Sequence, residues 1–344
     1  MKRIGLLTGG GDCPGLNAVI RAVVRRGGDA HNLSVDGFRN GWAGVLDGTA
    51  VPLTAESTKG ILHRGGTILG TSRVNPVDAD GGVERIRDVL DLHGLDGLVV
   101  IGGEGTLSAA RRLSVEHGVP IIGVPKTIDN DLGGTQFTIG FSTALDVATA
   151  AVDRLHTTAE SHNRVMLLEV MGRHAGWIAT YAGLAGGADA ILVPERPFNL
   201  DRVCRHLKHR HATGRSFSIV VVAEGAVPVP GTLPLPDYER DAFGRPRLGG
   251  IANHIAPHIE QSTGFAVRVT TLGHVQRGGS PNAFDRVLAS SMGVAAVDLA
   301  AAGRWGLMVG MHGNDVVPVD LAEATRELKT VPLDMYAVAE VFFG

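Results

Sequence analysis

Glycine is the feature that most narrows what this chain can fold into. It supplies 48 of the 344 residues, almost one in seven. The glycines lack the period of three that a collagen helix demands, and they do not sit in Ser-rich linkers. They cluster just after short apolar runs: Gly9-Gly10-Gly11 after Ile4–Thr8, Gly102-Gly103-Glu104-Gly105 after Gly97–Ile101, and Gly172-Arg173 after Arg164–Val170. A glycine group in that place signals a sharp turn or a backbone that comes close to a ligand. Pro120–Val124, Ala190–Val193 and Ser218–Ala223 read as further buried strands. Helical spacing fills the intervals at Leu16–Arg26, Gly82–Leu92, Thr106–His117, Thr143–Thr158 and Leu200–His211. Strands alternating with helices predict an α/β fold with largely parallel sheets, in two similar halves that meet near Gly140. In such sheets ligands bind beyond the carboxyl ends of the strands, where these glycine groups fall.

Composition sets outer bounds. A hydrophobic fraction of 44% suffices for a packed core, and the length exceeds what one core usually supports. The 32 Lys+Arg against 35 Asp+Glu argue against a broad nucleic-acid surface, while leaving room for a local basic pocket. No apolar run approaches the roughly 18 residues of a spanning helix, and the stretch before the first glycines is too short for a secretory signal. Cys13 and Cys204 match no metal spacing. The expectation is a soluble, cytoplasmic protein with neither nucleic acid nor membrane as partner. The proline-rich Val227–Arg247 reads as a surface excursion, and the segment from Val316 as partly helical without a motif.

Three segments carry chemistry. Thr8–Asn17 follows a strand and precedes a helix, which suits an anion held by backbone N–H groups; the alternative is a tight turn without a ligand. It matches neither G-x-x-x-x-G-K-[ST] nor G-x-G-x-x-G, so a dehydrogenase reading fails. Glu104, framed by glycines, could hold a hard cation that bridges phosphates, or could be an ordinary helix-start carboxylate. Pro125-Lys126-Thr127-Ile128-Asp129-Asn130-Asp131 sets two carboxylates beside a hydroxyl and an amine just after a strand. An Asx-turn of solvated acids would not need all four groups, so acid–base chemistry is favoured. Arg73, Arg164, Arg173, Arg268 and Arg277 lie in or beside Gly-, His- or Thr-containing segments. Several guanidinium groups converging on one pocket would suit a phosphorylated substrate, whereas a lone surface ion pair contributes at most ~1 kcal/mol.

With these residues in place, the sequence resembles the 6-phosphofructokinase family. GGDCPGLN, RGGTILGTSR, GGEGT, PKTIDND, ESHNR, EVMGRHAGW, AEG and LGHVQRGGSP occur in the family's order over nearly the whole chain. ELKTVPLDMY and the proline-rich excursion are similar to the actinobacterial-type, mixed-substrate branch. The resemblance implies two Rossmann-like domains with mostly parallel sheets. The donor domain would be 1–140, completed by about 275–325, and the sugar-phosphate domain 141–274, completed by 326–344. It implies Asp129 as general base toward the sugar 1-hydroxyl, Thr127 as a neighbouring hydroxyl and Arg173 as a stabiliser of the transferring group. Gly11, Arg73, Gly103, Glu104, Gly105 and Thr106 match the donor site. Glu104 stands at the position of the acid linked to Mg²⁺, which is Asp in many relatives. Met171, Gly172, Arg173, Glu224, His274 and Arg277 match the sugar-phosphate site. Arg164 and Arg268 match arginines given by an adjacent subunit, which implies a homodimer or homotetramer.

The resemblance implies fructose 6-phosphate as acceptor and leaves the donor to two positions. Pyrophosphate users tend to carry Asp where this chain has Gly105 and Lys where it has Lys126, whereas typical ATP users carry Gly at both. A carboxylate at 105 would repel the rest of a nucleotide, and Lys126 attracts any phosphate, so ATP is expected, with pyrophosphate as the alternative. A sensor that kept the fold without catalysis is a second alternative, disfavoured because Asp129 and Glu104 keep their carboxylates. Arg21 and Arg25 match part of the family's effector site, but Ala55 and His156 replace arginines there, and no control by that site is expected.

Overall fold

The computed structural model describes residues 2–235 and 248–343. In chain order the elements are β1 (Arg3–Thr8), α1 (Leu16–His31), β2 (Ser34–Phe38), α2 (Trp42–Leu46), β3 (Ala50–Leu53), α3 (Gly82–His93), β4 (Gly97–Gly102), α4 (Glu104–His117), β5 (Ile121–Thr127) and β6 (Ile139–Gly140). Then come α5 (Phe141–His162), β7 (Val165–Val170), α6 (Trp177–Ala185), β8 (Ala190–Leu192), α7 (Leu200–Ala212), β9 (Ser218–Ala223), α8 (Ile251–Thr263) and β10 (Val267–Thr271). After a 3₁₀ turn at Gly273–Arg277 follow α9 (Ala283–Ala301), β11 (Leu307–His312), β12 (Asp315–Asp320), α10 (Leu321–Ala324) and α11 (Leu333–Glu340). No helix of the described residues is long and apolar enough to cross a membrane.

Two compact units divide the chain: Met1–Thr143 with Arg277–Lys329, and Ala144–Gln276 with Thr330–Gly344. The first unit's sheet runs β12-β11-β5-β4-β1-β2-β3, with β6 beside β5. Its strands are parallel except β3 and β12, which pair antiparallel at the two edges. Strand periodicity builds both faces. Ile4, Leu6, Val99, Ile101, Ile122 and Val124 pack with α1 and α9, while Leu7, Leu98, Val100 and Ile121 pack with α2, α3 and α4. Each such side chain contributes about 1.5–3 kcal/mol on burial. The chain passes from β1 to β2 on one side and later to β4 on the other, so β1/β4 is a topological switch point, where open α/β sheets hold ligands.

The second unit's sheet is β10-β7-β9-β8, all parallel. The runs VMLLEV and SIVVVA are buried throughout, as a sheet covered on both faces requires. Helix α6 packs against β8 and β9, and α8 against β7 and β10. Glu169, inside β7, is structural: its carboxylate accepts from Gly250 N (2.7 Å) and Ala252 N (2.8 Å) at the start of α8.

One expectation needs correction. The strand expected over Pro120–Val124 runs on to Thr127, because Lys126 and Thr127 pair in register with Ile139 and Gly140 of β6. The segment from Val316 is partly helical as expected, in α10 and α11, and its first residues lie in β12, paired along its length with β11. Of the expected surface excursion Val227–Arg247, Pro228 is buried and Val227, Val229 and Leu233 are half-buried, Pro230, Gly231, Thr232, Pro234 and Leu235 are exposed, and 236–247 lie outside the described residues.

Candidate active site

In the first unit the carboxyl ends of β5, β4 and β1 lie side by side. The loop after β1 is anchored by Gly9 N donating to Ile101 O (2.9 Å), at the end of β4. The 64–73 segment is laced along it. Gly10 N donates to Ser72 O (3.0 Å), Thr71 Oγ1 to Gly10 O (2.5 Å) and Thr8 Oγ1 to Gly70 O (2.7 Å). Asn17 Nδ2 donates to Arg64 O (3.0 Å) and Gly65 O (3.3 Å), and its Oδ1 accepts from Ile68 N (2.9 Å). This stitching brings the exposed Arg73 next to the glycine loop. It also leaves the buried Ser72 Oγ there without a partner, a residue the sequence reading passed over.

Glu104 is the first residue of α4, and its Oε1 accepts from Ser108 Oγ (3.1 Å) one turn on. Thr106 is buried and explains two glycines by close approach. A Cβ on Gly9 would lie 2.7 Å from its Cγ2, and one on Gly102 would lie 2.4 Å from its Cβ. Gly105 differs: a Cβ there meets nothing within 4 Å. The fold does not require glycine at 105.

On β5, Lys126 is fully buried and its Nζ donates to Gly9 O (2.9 Å) and Gly11 O (2.5 Å). Burial pushes its pKa below the ordinary lysine value, and the nearby Arg277 charge adds to this. Thr127 and Asp129 lock each other. Thr127 Oγ1 donates to Asp129 Oδ2 (3.2 Å) and accepts from Asp129 N (3.1 Å). Asp129 is 3% exposed, and its Oδ1 has no hydrogen-bond partner. Arg277, expected in the sugar-phosphate set, stands on the glycine loop of this unit. Its Nη1 donates to Asp12 O (3.3 Å) and would be 2.8 Å from a Cβ on Gly11.

In the second unit, Met171, Gly172 and Arg173 follow β7, Glu224 follows β9 and His274 follows β10, again the carboxyl ends of three adjacent strands. Arg173 has a left-handed backbone (φ 53°), and its N–H donates to Glu224 Oε1 (3.0 Å). A Cβ on Gly225 would lie 1.9 Å from Arg173 O, so only glycine permits this crossing. The structure does not bring Arg164 and Arg268 to this edge. Arg164 precedes β7, and Arg268 pairs with Met166 near the amino ends of the same strands. They stand roughly a strand length away, about 20 Å at 3.3 Å per residue.

Among the described residues no cluster of three His, Cys, Asp or Glu could form an all-protein metal cage. Mg²⁺ does not need one, since it is usually held by one or two carboxylates, waters and substrate phosphates. Glu104 beside the glycine loop fits that mode, and the partnerless Ser72 Oγ fits a polar ligand there. Asn130 and Lys329 also escaped the sequence reading. Lys329 lies within the ELKTVPLDMY motif, the only signal that marked it.

Comparison with known proteins agrees with this geometry. The family model described as Phosphofructokinase matches residues 3–300. The pyrophosphate–fructose 6-phosphate 1-phosphotransferase of Amycolatopsis mediterranei (strain S699) is 57% identical over 99% of this chain and 100% of its own length. The ATP-dependent 6-phosphofructokinase of Mycobacterium tuberculosis (strain H37Rv) is 55% identical over the same shares. The solved phosphofructokinase of Saccharomyces cerevisiae superposes with a TM-score of 0.83 at 31% identity, over 99% of this chain and 46% of that one. Relatives above half identity from end to end, on this fold, leave one placement for the chain: it is an enzyme of the phosphofructokinase family.

Proposed function

We propose that the chain transfers the terminal phosphoryl group of Mg·ATP to the 1-hydroxyl of fructose 6-phosphate, giving fructose 1,6-bisphosphate in glycolysis. The observation that carries this reading is the buried, partnerless Oδ1 of Asp129, held by Thr127 at the strand end beside the glycine loop. That oxygen is free to take the proton of the sugar hydroxyl as the hydroxyl oxygen attacks phosphorus. The transition state of such transfers is loose, so positioning and charge stabilisation supply most of the catalysis. The backbone N–H of Gly11 and the Arg73 guanidinium would bind the donor phosphates, since Gly9 N and Gly10 N already donate to Ile101 O and Ser72 O. Glu104 would hold Mg²⁺, which supplies charge neutralisation on those phosphates. In the second unit, Met171, Gly172, Glu224 and His274 would bind the sugar phosphate, and Arg173 would offset charge on the transferring group.

Donor choice is assigned to residue 105. Gly105 is glycine without a packing reason, which fits a position kept bare for the remainder of a nucleotide. Lys126 is already engaged by two carbonyls and braces the loop for either donor. Pyrophosphate is the second reading, favoured by the pyrophosphate–fructose 6-phosphate 1-phosphotransferases among relatives at 57% identity. Initial rates with ATP and with pyrophosphate, offered separately in a coupled assay for fructose 1,6-bisphosphate, decide between them. Faster turnover with pyrophosphate would overturn the ATP assignment, and no product with either would leave the sensor alternative.

A further inference from the structure

Lys329 is the last residue of the first unit, and its side chain is committed to the loop that follows Asp129. Its Nζ donates to Asn130 Oδ1 (3.0 Å), Thr135 O (2.8 Å) and Gln136 O (3.0 Å), so all three ammonium hydrogens have acceptors in one loop. Its backbone N–H donates to Asp131 O (2.9 Å), and Leu328 bridges antiparallel to Leu132. Asn130, the first residue of that loop, has a left-handed backbone (φ 51°), a conformation that Asn adopts more readily than most residues. Asn130 Oδ1 also accepts from Thr138 N (3.0 Å), and Thr138 Oγ1 returns to Thr127 O (2.7 Å). Thr127, Asp129, Asn130 and Thr138 thus form a closed ring of bonds, and the ammonium braces that ring from outside at Asn130 Oδ1.

We infer that Lys329 is a positioning residue: by clamping Asn130 and the 131–136 turn, it holds the Asp129 carboxylate in the orientation set by the Thr127 hydroxyl. The inference rests on the proposal that Asp129 is the base. An uncharged side chain could not satisfy three acceptors from one atom, which is why a lysine stands in a largely buried place. Burial lowers its pKa to about 8, opposed by the nearby charge of Asp131. From the other side, His312 of β11 bonds the same loop at Gly134 O (3.1 Å).

The sign of the pH effect separates positioning from mere support. Lys329 titrates lower in the folded chain than its ordinary 10.5. Below about pH 8 both folded and unfolded states carry the proton, and the fold bears the burial cost of the ammonium. Between about 8 and 10.5 the unfolded state binds more protons, so this group's linkage makes stability rise with pH. Over the same range the three-donor ammonium is lost. Turnover and this stability contribution should therefore move in opposite directions.

The test is kcat against pH for the native enzyme, Lys329→Arg and Lys329→Met, with Asp129→Asn as reference. The native kcat should fall above about pH 8, and Lys329→Arg should keep most of its turnover without that limb. Lys329→Met should lose about 10–100-fold in kcat with the ATP KM changed less than about twofold. In an Asp129→Asn background the Met substitution should cost nothing further. Native kcat in Lys329→Met, or an equal loss in the Asp129→Asn background, overturns the inference while leaving the base intact. Full turnover in Asp129→Asn alone overturns the base assignment itself. Should Lys329→Met fail to fold, a high-pH limb persisting in Lys329→Arg overturns the inference.

Discussion

A carboxylate oxygen buried without a partner costs a fold roughly 1–3 kcal/mol, and Asp129 keeps one while its other oxygen is pinned by Thr127. Asparagine has nearly the same shape and no charge to desolvate, so Asp129→Asn should not lower the melting temperature. It removes the proton acceptor, however, and kcat should fall by about 10²–10⁴, the usual range for a general base. Turnover within a few-fold of native, in the coupled assay, would remove Asp129 from that role. The same scale separates Lys126 from donor choice. Its ammonium bonds the carbonyls of Gly9 and Gly11, so Lys126→Met leaves two loop acceptors without their donor. That harm falls on the cradle of any phosphate. Kinetics of Lys126→Met with each donor should show both kcat/KM values reduced, their ratio within about tenfold of native, or ~1.4 kcal/mol. A larger change in the ratio would return Lys126 to specificity.

At the scale of the element, the junction of β4 and α4 sets a glycine proposed to serve a ligand, Gly105, against one that packing requires, Gly102. Gly105 lies in the first turn of α4, with open space where a side chain would go. Alanine is the better helix former, so Gly105→Ala should stabilise the fold by up to about 0.5–1 kcal/mol in urea denaturation. The methyl would stand in the path assigned to the nucleotide and raise the ATP KM. Gly102→Ala should do the reverse, because its methyl overlaps Thr106, an overpacking that costs about 1–3 kcal/mol. If Gly105→Ala destabilised like Gly102→Ala, the glycine would be structural and the donor argument would lose its footing. The buried parallel strands were legible in the sequence because β1, β4, β7 and β9 are short runs made mostly of Val, Ile, Leu and Met. Strand β2 was not: SVDGF interrupts its pattern with Asp36 and with Gly37, whose missing Cβ makes room for Leu53 and Leu69. β12 hid behind Pro318, which an edge strand tolerates. In the site, Asp129, Glu104 and the glycine loop stood out because polar groups follow apolar runs. Lys329 lies about 200 residues from the loop it clamps, and no local pattern reports such a bond.

For the whole molecule, the two arginines at the amino ends of β7 and β10 pose a question of economy of placement. Arg268 is exposed, its Nη1 donating to the carbonyl of the preceding residue (2.6 Å), and Arg164 is half-buried before β7. Both stand at the wrong end of their sheet to meet Arg173 and His274, which follow the carboxyl ends of β7 and β10. Side chains cannot span a strand's length, so in one chain these arginines have no route to that edge. If they bind the sugar phosphate at all, they must do so for a second copy. Symmetric homo-oligomers make such an exchange reciprocal: each copy gives and receives the same arginines. The consequence can be measured with two dead enzymes. Asp129→Asn lacks the proposed base and Arg268→Ala lacks the guanidinium proposed to be donated. Unfolded together and refolded at equal amounts, they should form sites joining the base of one chain to the arginine of the other, and random pairing makes about a quarter of all sites whole. Activity should rise toward about a quarter of native on mixing, although neither parent exceeds a few per cent. A mixture no more active than its parents would place Arg268 in the site of its own chain or outside the site altogether.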